Sequence, residues 1–310
     1  MNVDGIVVRT FADDGDIWAI EGVRAAVHAH RPTTWMPGPD TDPEPARLPY
    51  CLIAEVDGVP VGYTWLTWWV EVDGTRLVLL LGGVAPEFRR RGIGAALLAA
   101  QIEAVRVQRP DVPGHGPLIL GGNADVDQDD ARRLLRRHGF ELAFTVVHLE
   151  SDLVARPPTA QALPPGFAER PLHEADHRLI HAALEECFAV SSHGYVARTY
   201  DEYRCDVADR QSDIGLWCVA WAGDEVAGIV INEREDDTEA LTTWVAVRAP
   251  YRRRGLAAAM LHTGLARCAA AGLRRVVIST ILENANHTTD LYESVGYHEF
   301  RRQPRYRRPL

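Results

Sequence analysis

The sequence offers little from which to build a metal centre or a disulfide framework. Its five cysteines, Cys51, Cys187, Cys205, Cys218 and Cys268, are dispersed and never fall in C-x-x-C spacing. An odd, scattered set fits reduced, mostly buried thiols, with nucleophilic use of one of them as the open alternative, and no metal is expected. No apolar run reaches the roughly 20 residues that a membrane-spanning helix needs; the longest covers 77–85. The opening MNVDGIVVRTFADD lacks the basic start and long apolar run of a signal peptide, so a cytoplasmic location away from membranes is expected. Positive charge is in the minority, with 33 basic against 43 acidic residues and a net charge of −10, which disfavours nucleic acid as a partner. The C-terminus runs against that balance with Arg301, Arg302, Arg305, Arg307 and Arg308. They fit a solvated tail docking on the acidic body, or a contact with the phosphates of a bound cofactor.

What the sequence does contain is organised around residues 242–261, TTWVAVRAPYRRRGLAAAML. The run begins as a strand through Val245, Ala246 and Val247, crosses an arginine-rich turn and continues as a helix from Gly255. Arg252, Gly255 and Ala257 make an R-x-x-G-x-A pattern at the junction. A helix N-terminus leaves backbone N–H groups unpaired and carries partial positive charge, which suits a phosphate or pyrophosphate. Small residues there let a phosphate approach the backbone. Alone, the pattern also fits an ordinary tight turn. Residues 84–98, VAPEFRRRGIGAALL, repeat it, with Val84 on Val247, Arg89 on Arg252, Gly92 on Gly255 and Ala95 on Ala258. Farther on, LLRRHGF at 134–140 echoes LYESVGY at 291–297. A chance turn does not recur with the same strand before it, helix after it and closing G-[FY]. The chain holds two copies of one domain.

At 310 residues, each copy is long enough for its own core. Residues 1–155 are expected as the first domain, 156–165, rich in proline, as a linker, and 166–310 as the second. Within the first, a strand at 6–9, a helix at 16–28, a hairpin turning at Asp57-Gly58, a strand at 77–84 and a helix at 92–107 are expected. A strand at 117–120, a helix at 127–138 and a strand at 140–149 follow. Residues 31–49, with six prolines, should form a long loop. Trp65, Trp68 and Trp69 are read as core and face-covering aromatics rather than a stacking platform. The second copy repeats the order: a strand at 167–170, a helix at 173–188, an irregular stretch at 189–213, a hairpin at 214–232, then strand, turn and helix to 271. A strand at 276–280, a helix at 286–295 and a strand at 297–302 complete it.

Strand, R-x-x-G-x-[GA] turn, helix, strand, short helix, G-[FY] and strand: this order resembles the GNAT superfamily of acetyl-CoA-dependent N-acetyltransferases, over nearly the whole chain and in two copies. The resemblance implies an α/β fold of α+β mixed-sheet type, with a central sheet splayed at the motif strand and helices on both faces. It implies acetyl-CoA as acyl donor, its pyrophosphate on the N–H groups of Arg253, Arg254, Gly255, Leu256 and Ala257, beside Arg252 and Ala258. The edge of Val245, Ala246 and Val247 would take the pantetheine, and Asn286 would touch the cofactor arm. The first copy offers Val84, Arg89, Arg90, Arg91, Gly92, Ile93, Gly94 and Ala95 in the same places.

The same resemblance implies roles in catalysis. Tyr292 matches the family's general acid for the departing thiolate, although a core tyrosine is the alternative. The glutamate that many members carry eleven residues before the motif arginine is Leu241 here. Glu239, two residues earlier, would point to the same strand face and is the candidate base, with a solvated hairpin-end glutamate as the alternative and Glu233 and Glu235 behind it. In the first copy Leu135 replaces Tyr292 and Val78 stands at the base position, so the second copy is expected to catalyse. The expected reaction is transfer of an acetyl group to a primary amine of a small molecule by direct attack, in a monomer or homodimer. A non-catalytic acyl-CoA-binding or sensing protein, and transfer to a peptide or protein amine, are the alternatives.

Overall fold

The two sequence repeats fold into two units whose elements follow one another in the same order. The computed structural model describes residues 2–3, 5–32, 36–39, 44–189, 195–209, 213–284 and 286–310. The first half of the chain forms β1 (Asn2–Val3), β2 (Ile6–Thr10), α1 (Gly15–His30), β3 (Leu52–Val56), β4 (Val59–Val70), β5 (Arg76–Val84), α2 (Ile93–Gln108), β6 (Leu118–Asn123), α3 (Asp129–Arg137) and β7 (Glu141–Asp152). The second forms α4 (Asp176–Phe188), α5 (Tyr200–Asp209), β8 (Cys218–Ala222), β9 (Glu225–Arg234), β10 (Glu239–Val247), α6 (Leu256–Ala270), β11 (Arg275–Ile281), α7 (Thr288–Ser294) and β12 (His298–Pro309).

Each sheet is mixed, and its parallel pair carries the turn. In the first unit the order is β1-β2-β3-β4-β5-β6 and then the C-terminal half of β12, with β5 and β6 parallel. In the second it is β12, β7, β11, β10, β9, β8, with β10 and β11 parallel. The β3–β4 hairpin turns at Asp57 and Gly58, both at positive φ (52° and 76°), the conformation an Asp-Gly turn supplies at low cost. In β4, alternate side chains go to opposite faces. Tyr63 and Trp65 pack with Ile20, Val23 and Val27 of α1, while Leu66 joins Leu98 and Val105 of α2. The second unit repeats this, with Leu256, Met260, Leu261 and Leu265 of α6 in one cluster and Ile180, Ala183 and Leu184 of α4 in another. A buried carboxylate at the start of each first helix ties the copies to one plan. Asp16 takes Arg9 at 2.6 Å and the Ala12 N–H, and Asp176 takes Arg170 at 2.8 Å and the His173 N–H. These arginines hold both carboxyls below their usual range.

Several elements depart from expectation. The compact units divide at Ala143/Phe144 and Gln303/Pro304, whereas the proline-rich segment 156–165 suggested the division, because each copy's long last strand lies with the other copy's elements. Residues 200–209 of the stretch read as irregular form α5; the parts at 190–194 and 210–212 lie outside the described residues. Within the expected long loop, Pro45–Tyr50 is a 3-10 helix, and residues 33–35 and 40–43 are outside the described set. The expected strand at 167–170 is reduced to a single bridge between Ala168 and Trp221. The arginine-rich C-terminus is a strand, not a tail: Arg307 pairs with Glu71 at 2.5 Å and Arg308 donates to the His138 carbonyl at 2.7 Å. Trp65 is fully buried, and Trp68 packs between Tyr50 and Arg47. Four cysteines are buried and Cys205 is exposed; burial pushes the Cys51 thiol up to about 12.

The first unit therefore depends on seven residues from the far end of the chain. Tyr306, 1% exposed, packs with Leu120, Leu135 and Phe140. Tyr306→Ala should cost about 3–5 kcal/mol, as aromatic-to-alanine changes in cores do. Urea unfolding checks this, and a loss well below 1 kcal/mol would contradict the placement of β12 in that core.

Candidate active site

The two arginine-rich turns are held by the same set of hydrogen bonds. In the second copy the Arg248 N–H donates to Ala227 O (3.1 Å) and the Tyr251 N–H to Arg248 O (2.9 Å). Arg252 Nε donates to Val247 O (2.8 Å) and Arg254 Nη2 to Pro250 O (3.2 Å). In the first, Ala85 N–H donates to Val61 O (2.9 Å), Phe88 N–H to Ala85 O (2.9 Å), Arg89 Nε to Val84 O (3.1 Å) and Arg91 Nη2 to Glu87 O (3.2 Å). The arginines thus build the turn by capping carbonyls of their own strand and loop.

Backbone conformation then aims the helix end outward. Arg253 and Gly255 have φ of 62° and 77°, and Arg90 and Gly92 have 65° and 85°. Left-handed residues alternating with ordinary ones turn successive N–H groups to one side, a concavity that binds anions. No side chain caps α6. Among the described residues no acceptor takes the N–H groups of residues 253–258. A Cβ placed on Gly255 would meet nothing within 4 Å, so the space over the turn is open. Together these give an anion site of the helix-terminus kind.

Beside each turn the parallel strands part. Pairing of β10 with β11 runs from Glu239–Arg275 to Thr242–Ile278 and stops, although β10 continues to Val247. Pairing of β5 with β6 stops at Leu79–Gly121, with β5 continuing to Val84. Residues 243–247 of β10 therefore keep β9 on one edge and present the other to the gap. The copies differ at one point: β10 carries a register shift between Thr242 and Trp244, and β5 pairs with β4 without a break. The bulge adds one residue to β10, so the counterpart of Leu241 is Leu79, not the Val78 that counting back from the arginine suggests.

On the α4 and α5 face of the second unit, the gap opens into a cleft of about 280 Å³. Thr243, Trp244, Glu233, Arg198, Asp206 and Ser279 line it. Arg198 pairs with Asp206 and lies 5.4 Å from the centroid of the Trp244 ring. On the opposite face, Thr242 Oγ1 donates to Asn232 Oδ1 (2.7 Å) and lies 3.0 Å from the Tyr297 hydroxyl. The Tyr292 ring is 6.0 Å from that of Tyr297. Tyr292 is 5% exposed, and burial pushes its phenol well above the usual range, so it stays protonated at neutral pH. A larger hollow of about 470 Å³ lies along residues 160–169; its one carboxylate, Glu169, is held by Arg267.

The turn residues Arg252, Arg253, Arg254, Gly255, Leu256, Ala257 and Ala258 gather at the gap with Val245, Ala246 and Val247. Arg89, Arg90, Arg91, Gly92, Ile93, Gly94, Ala95 and Val84 gather likewise in the first unit. Asn286 is exposed two residues before α7, its N–H taken by Asn284 Oδ1 at 2.9 Å. Glu239 is not brought to the gap. It sits at the far end of β10, six residues or about 20 Å of strand from Val245, and its carboxylate is paired with Arg275. Glu233, ranked behind it from sequence, is the glutamate that lines the cleft. Sequence reasoning missed Ser279, Asp206 and Arg198; strand parity on β11 would have found Ser279, while the other two depend on an unforeseen helix and the loop before it.

A parallel strand pair that parts beside an open, glycine-led helix terminus gives an α/β fold with a backbone cradle suited to a phosphate-bearing ligand. The model of the acetyltransferase (GNAT) family matches residues 177–297, and that of an acetyltransferase (GNAT) domain matches 48–142. The chain belongs to the GNAT family of acetyltransferases, as a tandem of two such domains, and membership implies use of an acyl-CoA. It is similar to a mycothiol acetyltransferase of Geodermatophilus obscurus, 28% identical over 69% of this chain and 68% of that one. It is also similar to a mycothiol acetyltransferase of Clavibacter sepedonicus, 31% identical over 44% of this chain and 43% of that one. In fold it is similar to a GCN5-related N-acetyltransferase from Sphaerobacter thermophilus, with a TM-score of 0.78, 22% identity and coverage of 100% and 97%. A tandem GNAT protein from the clavulanic acid biosynthesis pathway gives a TM-score of 0.66 at 16% identity, covering 98% of each chain. Among the described residues no helix is long and apolar enough to cross a membrane.

Gly255→Val tests the turn. A branched side chain at φ 77° is strained and stands in the open space above the N–H groups. Calorimetry should show acetyl-CoA binding weakened by roughly tenfold or more, the equivalent of about 1.4 kcal/mol. Unchanged affinity and stoichiometry would remove the anion site.

Proposed function

We propose that the C-terminal unit transfers an acetyl group from acetyl-CoA to a primary amine of a small molecule by direct attack. The observation that carries this reading is the gap beyond Thr242, flanked by the open turn on one side and on the other by a cleft of mixed aromatic, apolar and charged lining. The pyrophosphate sits on the N–H groups of residues 253–257, and the pantetheine lies along the free edge of 243–247. The thioester then meets the cleft at Thr243 and Trp244. An amine entering there passes the Glu233 carboxylate, which favours a cationic acceptor, while Asp206 is paired with Arg198. The cleft volume suits a small molecule.

Attack needs a neutral amine, stabilisation of the oxyanion and a proton for the departing thiolate. Tyr292, on the α6 and α7 side of the gap, carries its phenol proton at neutral pH and supplies it. The first unit lacks it. Leu135 holds the place and packs against the backbone of Gly122, while Met36 lies over Gly83. The Tyr63 hydroxyl donates to the Pro37 carbonyl at 2.9 Å, so this loop packs over the first unit's motif strand. These contacts support a first unit that binds acyl-CoA, or only its phosphates, without turning it over.

All 33 basic residues are arginine, so the chain has no side-chain amine of its own to acetylate. Release of free thiol from acetyl-CoA against a panel of amines therefore reports transfer to the added acceptor or hydrolysis, separated by an amine-free control. Turnover is expected; acetyl-CoA binding without turnover across the panel would favour a binding module. Tyr292→Phe keeps the ring and removes the hydroxyl. Its kcat should fall about 10²–10⁴-fold, with acetyl-CoA affinity unchanged, and a near-normal kcat would make Tyr292 a packing residue.

A further inference from the structure

The reading above does not assign the base that takes the proton from the incoming amine. Glu239 is held by Arg275 away from the gap, and Glu233 is placed to receive the amine's charge. Across the cleft from Glu233, at a distance of two strand spacings or about 10 Å, stands Ser279 of β11. Its hydroxyl lies 2.8 Å from Nδ1 of His148. The two residues are direct partners in the antiparallel β11–β7 ladder, so both side chains rise from the same face. That face is the cleft's. Ile278, one residue earlier, packs in the α6 cluster on the other side, and Ser279 lines the cleft with Thr243 and Trp244. Phe300 of β12 flanks the imidazole at 6.2 Å between ring centroids.

We infer that Ser279 and His148 form a proton relay for the acceptor amine, Ser279 as the catalytic residue that touches it and His148 as the positioning residue that stores the proton. The inference rests on the transfer reaction proposed above. The amine's N–H proton passes to Ser279 Oγ as the Ser279 O–H proton passes to His148 Nδ1. The products are a neutral amine with a free lone pair, an unchanged serine and an imidazolium, whose proton returns to solvent through the exposed Ser279. The amine nitrogen then bonds to the thioester carbon, the C–S bond breaks with its electron pair on sulfur, and the sulfur takes the Tyr292 proton. The surplus N–H proton leaves the new amide nitrogen through the regenerated relay to solvent, from which Tyr292 is reprotonated. Among side chains, an imidazole titrates nearest neutrality, which suits a base working there.

The first unit supplies an internal comparison. His148 stands nine residues after Gly139, and Arg305 stands nine after Gly296. Arg305 pairs with Asn123 at the ladder step where His148 pairs with Ser279. An arginine and an amide hold no group that takes a proton at neutral pH. The unit without Tyr292's counterpart also lacks the relay. Because His148 belongs to β7, the first repeat's last strand supplies the hydrogen-bond partner of a residue lining the second repeat's cleft.

Among the described residues, charged groups stand near the imidazole on β7, β11 and β12. Glu150, two residues along β7, is held by Arg275 of β11 and His298 of β12. Arg302 of β12 is paired with Glu299. Across the cleft stand Glu233, Asp206 and Arg198.

The test measures steady-state kinetics of wild type, Ser279→Ala, Ser279→Thr, His148→Gln and the Ser279→Ala/His148→Gln double variant. Acetyl-CoA is the donor, with spermidine, glucosamine and other primary amines as acceptors. Each single loss should lower kcat by roughly 10²-fold, leave KM for acetyl-CoA unchanged and abolish the acid limb of the kcat/KM profile. The double variant should fall no further, since the two groups act as one unit. Ser279→Thr, which keeps a hydroxyl, should retain most activity. The relay is overturned if an active wild type keeps its rate and acid limb in both single variants, if the losses multiply, or if the acid limb is lost in Glu233→Gln instead. Should His148→Gln fail to fold, the Ser279 pair carries the test, since Ser279 is exposed. An inactive wild type overturns the transfer reading and the relay together, whereas an active wild type indifferent to both residues overturns the relay alone.

Discussion

A helix cannot satisfy its own first N–H groups, and the rest of this molecule is arranged around leaving those of α6 open. Most helices close that end with a side-chain cap or continue the chain over it. Here Gly255 and Arg253 adopt left-handed conformations, and the neighbouring arginines bind backward onto strand and loop carbonyls. The turn is stiffened by its arginines while its N–H groups remain unspent. Positive charge that would otherwise serve as a diffuse attraction is used to hold a backbone shape.

The second constraint is the gap. Parallel strands normally exchange hydrogen bonds along their length, and each N–H or carbonyl left without one needs another partner. β10 gives up its partner after Thr242, and a bulge begins at the same step. A bulge bends its strand and re-aims the side chains beside it. It is present where Trp244, Thr243 and Ser279 enclose a cleft, and missing in the first unit, where Met36 lies over the strand. One sheet plan thus carries a bulged motif strand in one copy and a regular one in the other.

Much of this was legible in the residues. The repeated R-x-x-G motif, its glycines and the closing G-[FY] fall where the structure needs a left-handed turn and a helix stop, because local backbone geometry dictates those residue types. The hairpin at Asp57-Gly58 was readable for the same reason. What could not be read was anything set by strand partners. The destination of β7 and β12 depends on which ladder each 12-residue strand joins, and no local pattern encodes that choice. The bulge in β10 leaves no mark in TTWVAVR, so counting along the strand misplaced the base position by one residue. Glu239 lies two residues from Leu241, at the end of β10 away from the gap, and its carboxylate is paired with Arg275, which depends on the neighbouring strand and not on the local sequence. α5 was hidden because YDEYRCDVAD carries its charges and aromatics without a clean apolar stripe.

The central claim is that the open N–H groups and the parted strands together form one acyl-CoA site. The most direct measurement is a crystal structure of the chain with CoA bound. The account predicts the pyrophosphate on the N–H groups of residues 253–257 and the pantetheine running between residues 243–247 of β10 and the end of β11, with its sulfur toward Tyr292. A CoA molecule whose phosphates lie away from that turn, or whose pantetheine stays outside the gap, would contradict it.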